Sequence, residues 1–252
     1  MSVLGCLVVI LGISMYAVGK SHGLTAFISL FLNFFFMFVV IVGMRKGYSP
    51  LVLTGIACCL MIGLNLFFIN GFYLKTKVAA LGSLITLLLL FVVIWWLVPL
   101  LRIQGLGEEE VVEMDMYSFY VGISFLKITI CTLTMGTVGA ITDTAMSVAS
   151  ALEELMKKKP DISTKQIWAS GIKIGRDILG TTTNTLLFAF IGNNLALVIW
   201  LADLGYTLER MLNSKVMVAE LFTMCCSLVG VILVIPVVSF QMSLVKKQQL
   251  VE

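Results

Sequence analysis

The chain has 252 residues, of which 60% are hydrophobic and 12% are charged, and its formal net charge is +3. Ordinary soluble domains are about 45–50% apolar and about 25% charged, so this composition excludes a soluble globular protein and predicts an integral membrane protein. The lysines and arginines are dispersed and form no basic stripe, which argues against nucleic acid as a partner.

Seven apolar segments follow one another along the chain. A transmembrane helix needs about 20 mostly apolar residues, and each segment reaches or nearly reaches that length. The predicted spans are 2–18, 23–44, 51–70, 78–101, 119–150, 178–202 and 217–242. They predict an all-α, polytopic transmembrane bundle that forms a single domain over residues 1–252.

Two polar stretches interrupt these spans. Residues 103–118 carry five acidic side chains among Val and Met, and predict an acidic loop at the membrane surface. Residues 157–177 begin with Lys157–Lys159, after which Asp161 or Ser163 is suited to cap a helix N-terminus. Apolar residues then alternate with lysines, which predicts a short amphipathic surface helix over 161–174.

The distribution of basic residues predicts the orientation in the membrane. Cytoplasmic loops are enriched in Lys and Arg, so Lys157–Lys159 place the connection before the sixth span in the cytoplasm. Lys246 and Lys247 place the C-terminus there as well, and counting back over seven spans puts the N-terminus outside. Arg45 and Lys46 then fall outside, which is the one mismatch with the rule.

One aspartate, Asp143, lies within the otherwise uncharged fifth span. An ionisable side chain in hydrocarbon costs about 2.5–3.5 kcal/mol on insertion scales, so such residues are functional candidates. At helical spacing, Gly139, Ser147 and Ser150 share its face, and small residues allow a neighbouring helix to approach closely. We expect Asp143 to point into the bundle or into a water-filled cavity.

The sixth span begins with hydroxyl and amide side chains. Because it runs back from the same edge of the membrane, these side chains should reach the depth of Asp143. The candidate neighbours of the carboxyl group are Thr181, Thr183, Asn184 and Thr185. At the cytoplasmic edge, the candidate ion-pair partners of Arg176 are Glu153, Glu154 and Asp177.

Three roles are open for Asp143. It is either a protonatable group that couples to protons or cations, a hydrogen-bonding residue that fixes helix register, or a contact to substrate. The polar cluster of the sixth span is likewise either a relay or a set of interhelical hydrogen bonds. Asn33 and Asn65 are lone polar residues in apolar spans, and we interpret both as interhelical hydrogen bonders.

The sequence predicts no metal, no cofactor and no enzymatic activity. The six cysteines lie in apolar runs without a Cys-x-x-Cys pair, and the only histidine is His22. Such cysteines are typical of free thiols that pack as small hydrophobic side chains. A His-Glu-x-x-His zinc motif is absent from the chain.

Two blocks of sequence resemble the YibE/YibF-like family of bacterial membrane proteins. In order, they are Gly139-x-x-x-Asp143-x-Ala-Met-Ser147-x-x-Ser150-x-Leu-x-Glu154 and Gly175-Arg176-Asp177-Ile-Leu-Gly180-x-x-x-Asn184-Thr185-Leu. The likeness runs from about Phe119 to the C-terminus and extends loosely over the earlier helices. It implies a multi-pass protein of the bacterial cytoplasmic membrane in which Asp143 is a motif position.

Many relatives in this family carry an extracytoplasmic domain after their first helix, and no such domain follows the first span here. The resemblance therefore implies a partner within the lipid bilayer, either a homologous membrane protein that carries this domain or a second copy of the chain. A weaker, fold-level likeness is to the membrane half of RND and SecD/SecF transporters. Their large external domain is missing between spans two and three, and Thr144 stands where many RND proteins have a second Asp.

These observations predict a membrane subunit of a proton- or ion-coupled transporter or of a translocation-assisting complex. Asp143 would be its intramembrane protonatable group, with hydroxyl and amide side chains of the sixth span as neighbours. The alternative is a membrane scaffold that transports nothing and instead assembles with, and regulates, a partner membrane protein.

Overall fold

The computed structural model describes residues 3–105 and 124–249, and these residues form helices joined by short turns. The elements are α1 (Val3–Arg45), α2 (Pro50–Gly63) with a following π-helical turn (Leu64–Phe68), α3 (Leu74–Leu101), α4 (Phe125–Lys158), α5 (Thr164–Asp203), α6 (Leu208–Leu212) and α7 (Lys215–Gln249). Six helices of the described residues are long and apolar enough to cross a membrane. The predicted all-α polytopic bundle is therefore confirmed.

Helix α1 reverses direction at Lys20, whose φ of 47° and ψ of −125° lie outside the helical region. The two arms fold onto each other, because a β-carbon at Gly12 would lie 3.1 Å from the ring of Phe27. At the turn, a β-carbon on Gly23 would overlap the carbonyl oxygen of Met15, so the chain can close there only at glycine. Within the described residues, the six long helices thus account for the seven predicted apolar segments, because α1 holds the first two.

The predicted surface helix over 161–174 is not a separate element. It forms the first part of α5, which runs without a break from Thr164 to Asp203. Its apolar stripe faces the bundle, since Ile167 is buried and Gly171 lies against Ser239 of α7. Ser163 caps the helix through a reciprocal capping box with Gln166. The apolar side of this stretch therefore packs against the bundle, and its lysines are exposed.

The predicted acidic loop and the predicted start of the fifth span at 119 lie mostly outside the described residues. From Phe125 onward, α4 continues well past the predicted end of its span at 150 and reaches Lys158. Lys246 donates a hydrogen bond of 2.7 Å to the carbonyl oxygen of Pro160. The end of α7 and the turn between α4 and α5 therefore lie at one edge of the bundle, the edge predicted to be cytoplasmic.

Helix α4 lies at the centre of the bundle and packs against α2, α3, α5 and α7. Its buried side holds Ile141, Ala145 and Val148, which belong to a continuous core with α3 and α7. Gly230 of α7 lets Ile141 approach, because a β-carbon there would lie 2.8 Å from that side chain. Helix α5 packs along α7 and meets α4 on one side. The small-residue face of α4 is left beside α5, and it is there that Asp143 lies.

Three polar side chains connect α1 to the π-helical turn. Asn33 Nδ2 donates to Asn65 Oδ1 at 2.7 Å, and Ser29 Oγ donates to the same oxygen at 3.2 Å. The predicted role of Asn33 and Asn65 as interhelical hydrogen bonders is confirmed. π-Helical turns occur mostly as local insertions in α-helices, and this one carries Asn65 at the contact with α1.

Replacing Asn65 with Leu should lower the free energy of unfolding by about 1–2 kcal/mol, because the buried Ser29 and the half-buried Asn33 lose their shared acceptor. Reversible unfolding of the purified protein in detergent measures the change. Asn193→Leu is the control, since Asn193 is exposed on α5 and should be nearly neutral. Equal effects of the two substitutions would contradict a role for the interhelical bonds.

Candidate functional site

A cavity of about 360 Å³ lies between α4 and α5. Helix α4 contributes the small and polar face that surrounds Asp143, and α5 contributes a face that is rich in threonine. The lining residues are Gly139, Ala140, Asp143, Thr144 and Ser147 from α4, and Ile178, Thr181, Thr182, Thr185 and Leu186 from α5. At about 30 Å³ of liquid per water molecule, the cavity has room for several waters beside the carboxyl group.

Helix packing creates this cavity. Gly171 brings α5 close to α4 and α7, because a β-carbon there would lie 3.1 Å from Leu152 and would overlap Ser239. About three and a half turns from Leu152 along α4, Gly139 has no atom within 4 Å of its β-carbon position. The two helices are therefore in tight contact at one level and separated by open space at the next, where Asp143 is located.

The structure brings some of the predicted residues together and leaves others apart. Thr181 and Thr185 line the cavity with Asp143, whereas Thr183 and Asn184 do not. Successive helical residues are rotated by about 100°, so the face that carries Ile178, Thr181 and Thr185 toward Asp143 turns Thr183 and Asn184 away from the cavity. The expectation that all four polar residues surround the carboxyl group is wrong for these two.

Among the predicted supporting residues of α4, Gly139 and Ser147 line the cavity, while Ser150 is half-buried beyond it. The expected pairing of Arg176 with a nearby carboxylate is not found. Glu154 pairs with Lys158 at 2.8 Å and Glu153 with Lys157 at 3.1 Å, each within α4. These pairs form because residues four apart are neighbours on a helix. Arg176 and Asp177 are exposed on α5 and lie outside the cavity lining.

Thr144 and Thr182 also line the cavity, although the candidate site residues taken from the sequence do not include them. Thr182 belongs to the face formed by Ile178, Thr181 and Thr185, and a helical projection of α5 would have found it. Thr144 follows Asp143 directly but is almost fully buried, at 2% exposure. It reaches the cavity only because α5 stands away from α4 at this level, which the sequence does not reveal.

The hydroxyl groups of Thr181 and Thr185, which face Asp143, already donate their protons to backbone carbonyl oxygens of α5. Thr181 Oγ1 donates to the carbonyl oxygen of Ile178 at 2.9 Å, and Thr185 Oγ1 donates to that of Thr181 at 3.0 Å. Each hydroxyl oxygen therefore offers lone pairs to the cavity. Within the described residues, no cation forms an ion pair with Asp143. The arrangement suits a protonated carboxyl group that donates a hydrogen bond, or a water or cation held between acceptors.

One side of the cavity is open in the single chain. Gly136, Gly139, Asp143 and Ser147 are all exposed and follow one another along one face of α4. A carboxylate that faced hydrocarbon would be costly. The face therefore requires water, protonation or another helix to cover it.

The turn Gly19-Lys20-Ser21-His22-Gly23 has the spacing Gly-x-Ser-x-Gly. In hydrolases this spacing forms a sharp turn between a strand and a helix, which presents the serine as a nucleophile. Here it joins two helical arms of α1, so the structural context of that motif is missing.

Comparison with known proteins completes the description of the site. The sequence profile of the YibE/F-like protein family matches residues 7–248, nearly the whole chain. The chain belongs to the YibE/F-like family. The match covers both predicted sequence blocks, and with six candidate membrane helices it identifies a membrane-embedded YibE/F-like protein. No curated protein and no solved structure matches the chain.

Proposed function

We propose that this YibE/F-like protein is the membrane subunit of a proton- or ion-coupled transporter or of a translocation-assisting complex. Asp143 is the group that takes up and releases the proton or contacts the coupling cation. The observation that carries the proposal is its position in a cavity beside the hydroxyl groups of Thr181 and Thr185. Ionisable residues inside membrane spans are rare and mark ion pathways and proton relays.

The hydrogen bonds of the cavity support a change of protonation. Thr181 and Thr185 present acceptor oxygens, which favour Asp143 when it carries its proton. Water entering the cavity would supply donors and favour the ionised form. Access of water to the cavity therefore controls the charge of Asp143, which is the coupling that a relay requires.

We also propose that a second membrane protein covers the open face of α4. Small residues let another helix approach closely, and a covered Asp143 avoids contact with hydrocarbon. The partner is a homologous membrane protein with an extracytoplasmic domain, or a second copy of this chain. The location is the bacterial cytoplasmic membrane, with the C-terminus in the cytoplasm and the N-terminus outside.

The alternative is a membrane scaffold that transports nothing and assembles with, and regulates, its partner. The open face of α4 favours this alternative, since an unpartnered small-residue face is suited to helix association. The two functions differ in what Asp143→Asn should remove, which is coupled activity in the first case and assembly in the second.

Reaction with a small, charged thiol reagent tests whether the cavity is wet, in a background whose own exposed cysteines are replaced. A cysteine at Thr181 or Thr185 should react in the membrane at least about tenfold faster than the same substitution at Leu187, because thiolates form in water and scarcely in hydrocarbon. Leu187 is exposed on α5 but lies outside the cavity lining, so Leu187→Cys is the matched control. Equal rates at the three positions would contradict a water-filled relay.

A further inference from the structure

A second cavity lies on another part of α4, between α1 and α4 with α2 at its floor. Its volume is about 430 Å³ and its wall is almost entirely apolar. Its lining includes the four methionines Met37, Met44, Met61 and Met135, together with Ile41. Methionine is unbranched and flexible, so it adapts to an irregular apolar guest. We call this cavity the methionine groove.

The methionine groove ends close to one edge of the bundle. Gly43 of α1 packs against Leu53, since a β-carbon there would lie 2.8 Å from the leucine. On the other side of α2, Thr54 lies beside Cys131 of α4. These contacts place the end of α1 and the beginning of α4 at the same level. This edge is opposite to the one that carries Lys157–Lys159.

Three cations stand at this edge. Arg45 ends α1 just beyond Met44 and Lys46 follows it, and Lys127 precedes Ile128, which lines the groove. All three are exposed, and none forms an ion pair with a described residue. Arg45 and Lys46 are also the residues that contradict the positive-inside rule, so their position calls for a local reason.

We propose that the methionine groove holds one acyl chain of an anionic phospholipid, whose phosphate is bound by Arg45, Lys46 and Lys127. From Met37 to Met44 the groove extends about 10 Å along α1, most of the roughly 15 Å that one leaflet contributes to the hydrocarbon core. The apolar wall, the length of the groove and the positive charges at its end therefore all fit a lipid of the adjacent leaflet. The groove shares no lining residue with the Asp143 cavity, although its end at Gly136 adjoins the open face of α4, and it does not depend on the role proposed for Asp143.

Native mass spectrometry of the full chain tests this proposal, with equal amounts of phosphatidylglycerol and phosphatidylethanolamine added to the detergent. We expect phosphatidylglycerol to be retained selectively. Since each cation near an anionic headgroup contributes about fivefold in affinity, the double substitution Arg45→Gln and Lys46→Gln should lower retention about 30-fold. The matched control replaces Lys165 and Lys173 with Gln; both are exposed at the opposite edge and should leave retention unchanged.

Filling the groove distinguishes a lipid whose acyl chain occupies it from a lipid that only contacts the cations electrostatically. Ile41→Trp places a large ring in the groove and should abolish retention, whereas Ile56→Trp should not, because Ile56 is exposed on α2 outside the lining. Unchanged unfolding temperatures establish that the variants fold. The proposal would be overturned if the protein retained neither lipid, if it retained both lipids equally, or if the control variants lost as much lipid as the test variants.

Discussion

Asp143→Asn is expected to abolish coupled activity while leaving expression, membrane insertion and assembly intact. Asparagine has nearly the shape of aspartate and keeps hydrogen-bonding capacity in the cavity, but it neither gains nor loses a proton. The assay is proton movement in proteoliposomes that contain the chain and its co-purified partners, followed with a trapped pH-sensitive dye. We expect the flux to fall to the level of empty vesicles.

Asp177→Asn is the matched control, because Asp177 is an exposed carboxylate of α5 that lies outside the cavity lining. It should retain full flux, and Asp143→Glu should retain part of it because a carboxyl group is still present. If Asp143→Asn supports normal flux, the relay proposal fails. If instead it prevents co-purification of the partner, the scaffold alternative is favoured, since the carboxyl group would then serve assembly.

Gly175→Ala is expected to destabilise the bundle by about 1–3 kcal/mol, in the range for added atoms in a packed core. A β-carbon at Gly175 would overlap the Cγ2 methyl of Ile235 and lie 3.1 Å from its Cγ1. Because Ile235 is buried on α7, α5 has to move outward to accommodate the methyl group. Unfolding of the purified protein in detergent measures the loss.

Two further variants test whether the contact with Ile235 causes the loss of stability in Gly175→Ala. Gly180→Ala lies on the same helix and meets no atom within 4 Å, so it should be neutral or should stabilise by up to about 1 kcal/mol through helix propensity. Ile235→Ala removes both clashing atoms, and the double variant should be more stable than the sum of the two single losses predicts. Strict additivity would show that the contact with Ile235 is not responsible.

This contact also gives a structural reason for part of the family pattern. Gly175 opens the second sequence block, and it sets the distance between α5 and α7 at the level just before the cavity. A displaced α5 would carry Thr181 and Thr185 away from Asp143. The glycine therefore acts on the cavity through helix position and not through contact with the carboxyl group.

The fold class could be predicted from composition and hydropathy, because a bilayer requires long apolar helices whose backbone is satisfied internally. The hydrogen bond between Asn33 and Asn65 was predictable for a related reason: lone polar residues in apolar spans need partners. The likeness to RND and SecD/SecF proteins stays a prediction, as do the orientation and the partner.

The predictions that failed concern how helices meet. Residues 161–174 are amphipathic, and hydropathy alone does not distinguish a stripe that faces lipid headgroups from one that faces α4 and α7. Likewise, the sequence offers several acidic residues as partners of Arg176. Glu153 and Glu154 pair instead with the lysines four residues later on their own helix.

An all-helical membrane protein with a carboxyl group inside its fifth predicted span could be inferred from the sequence alone. Apolar length and the cost of a buried charge are local properties, which a single segment reveals. The residues that face this carboxyl group follow from how the helices pack together. Thr181, Thr182 and Thr185 line the cavity and Asn184 does not, because the rotation and spacing of α5 relative to α4 depend on glycine contacts with distant side chains on α7.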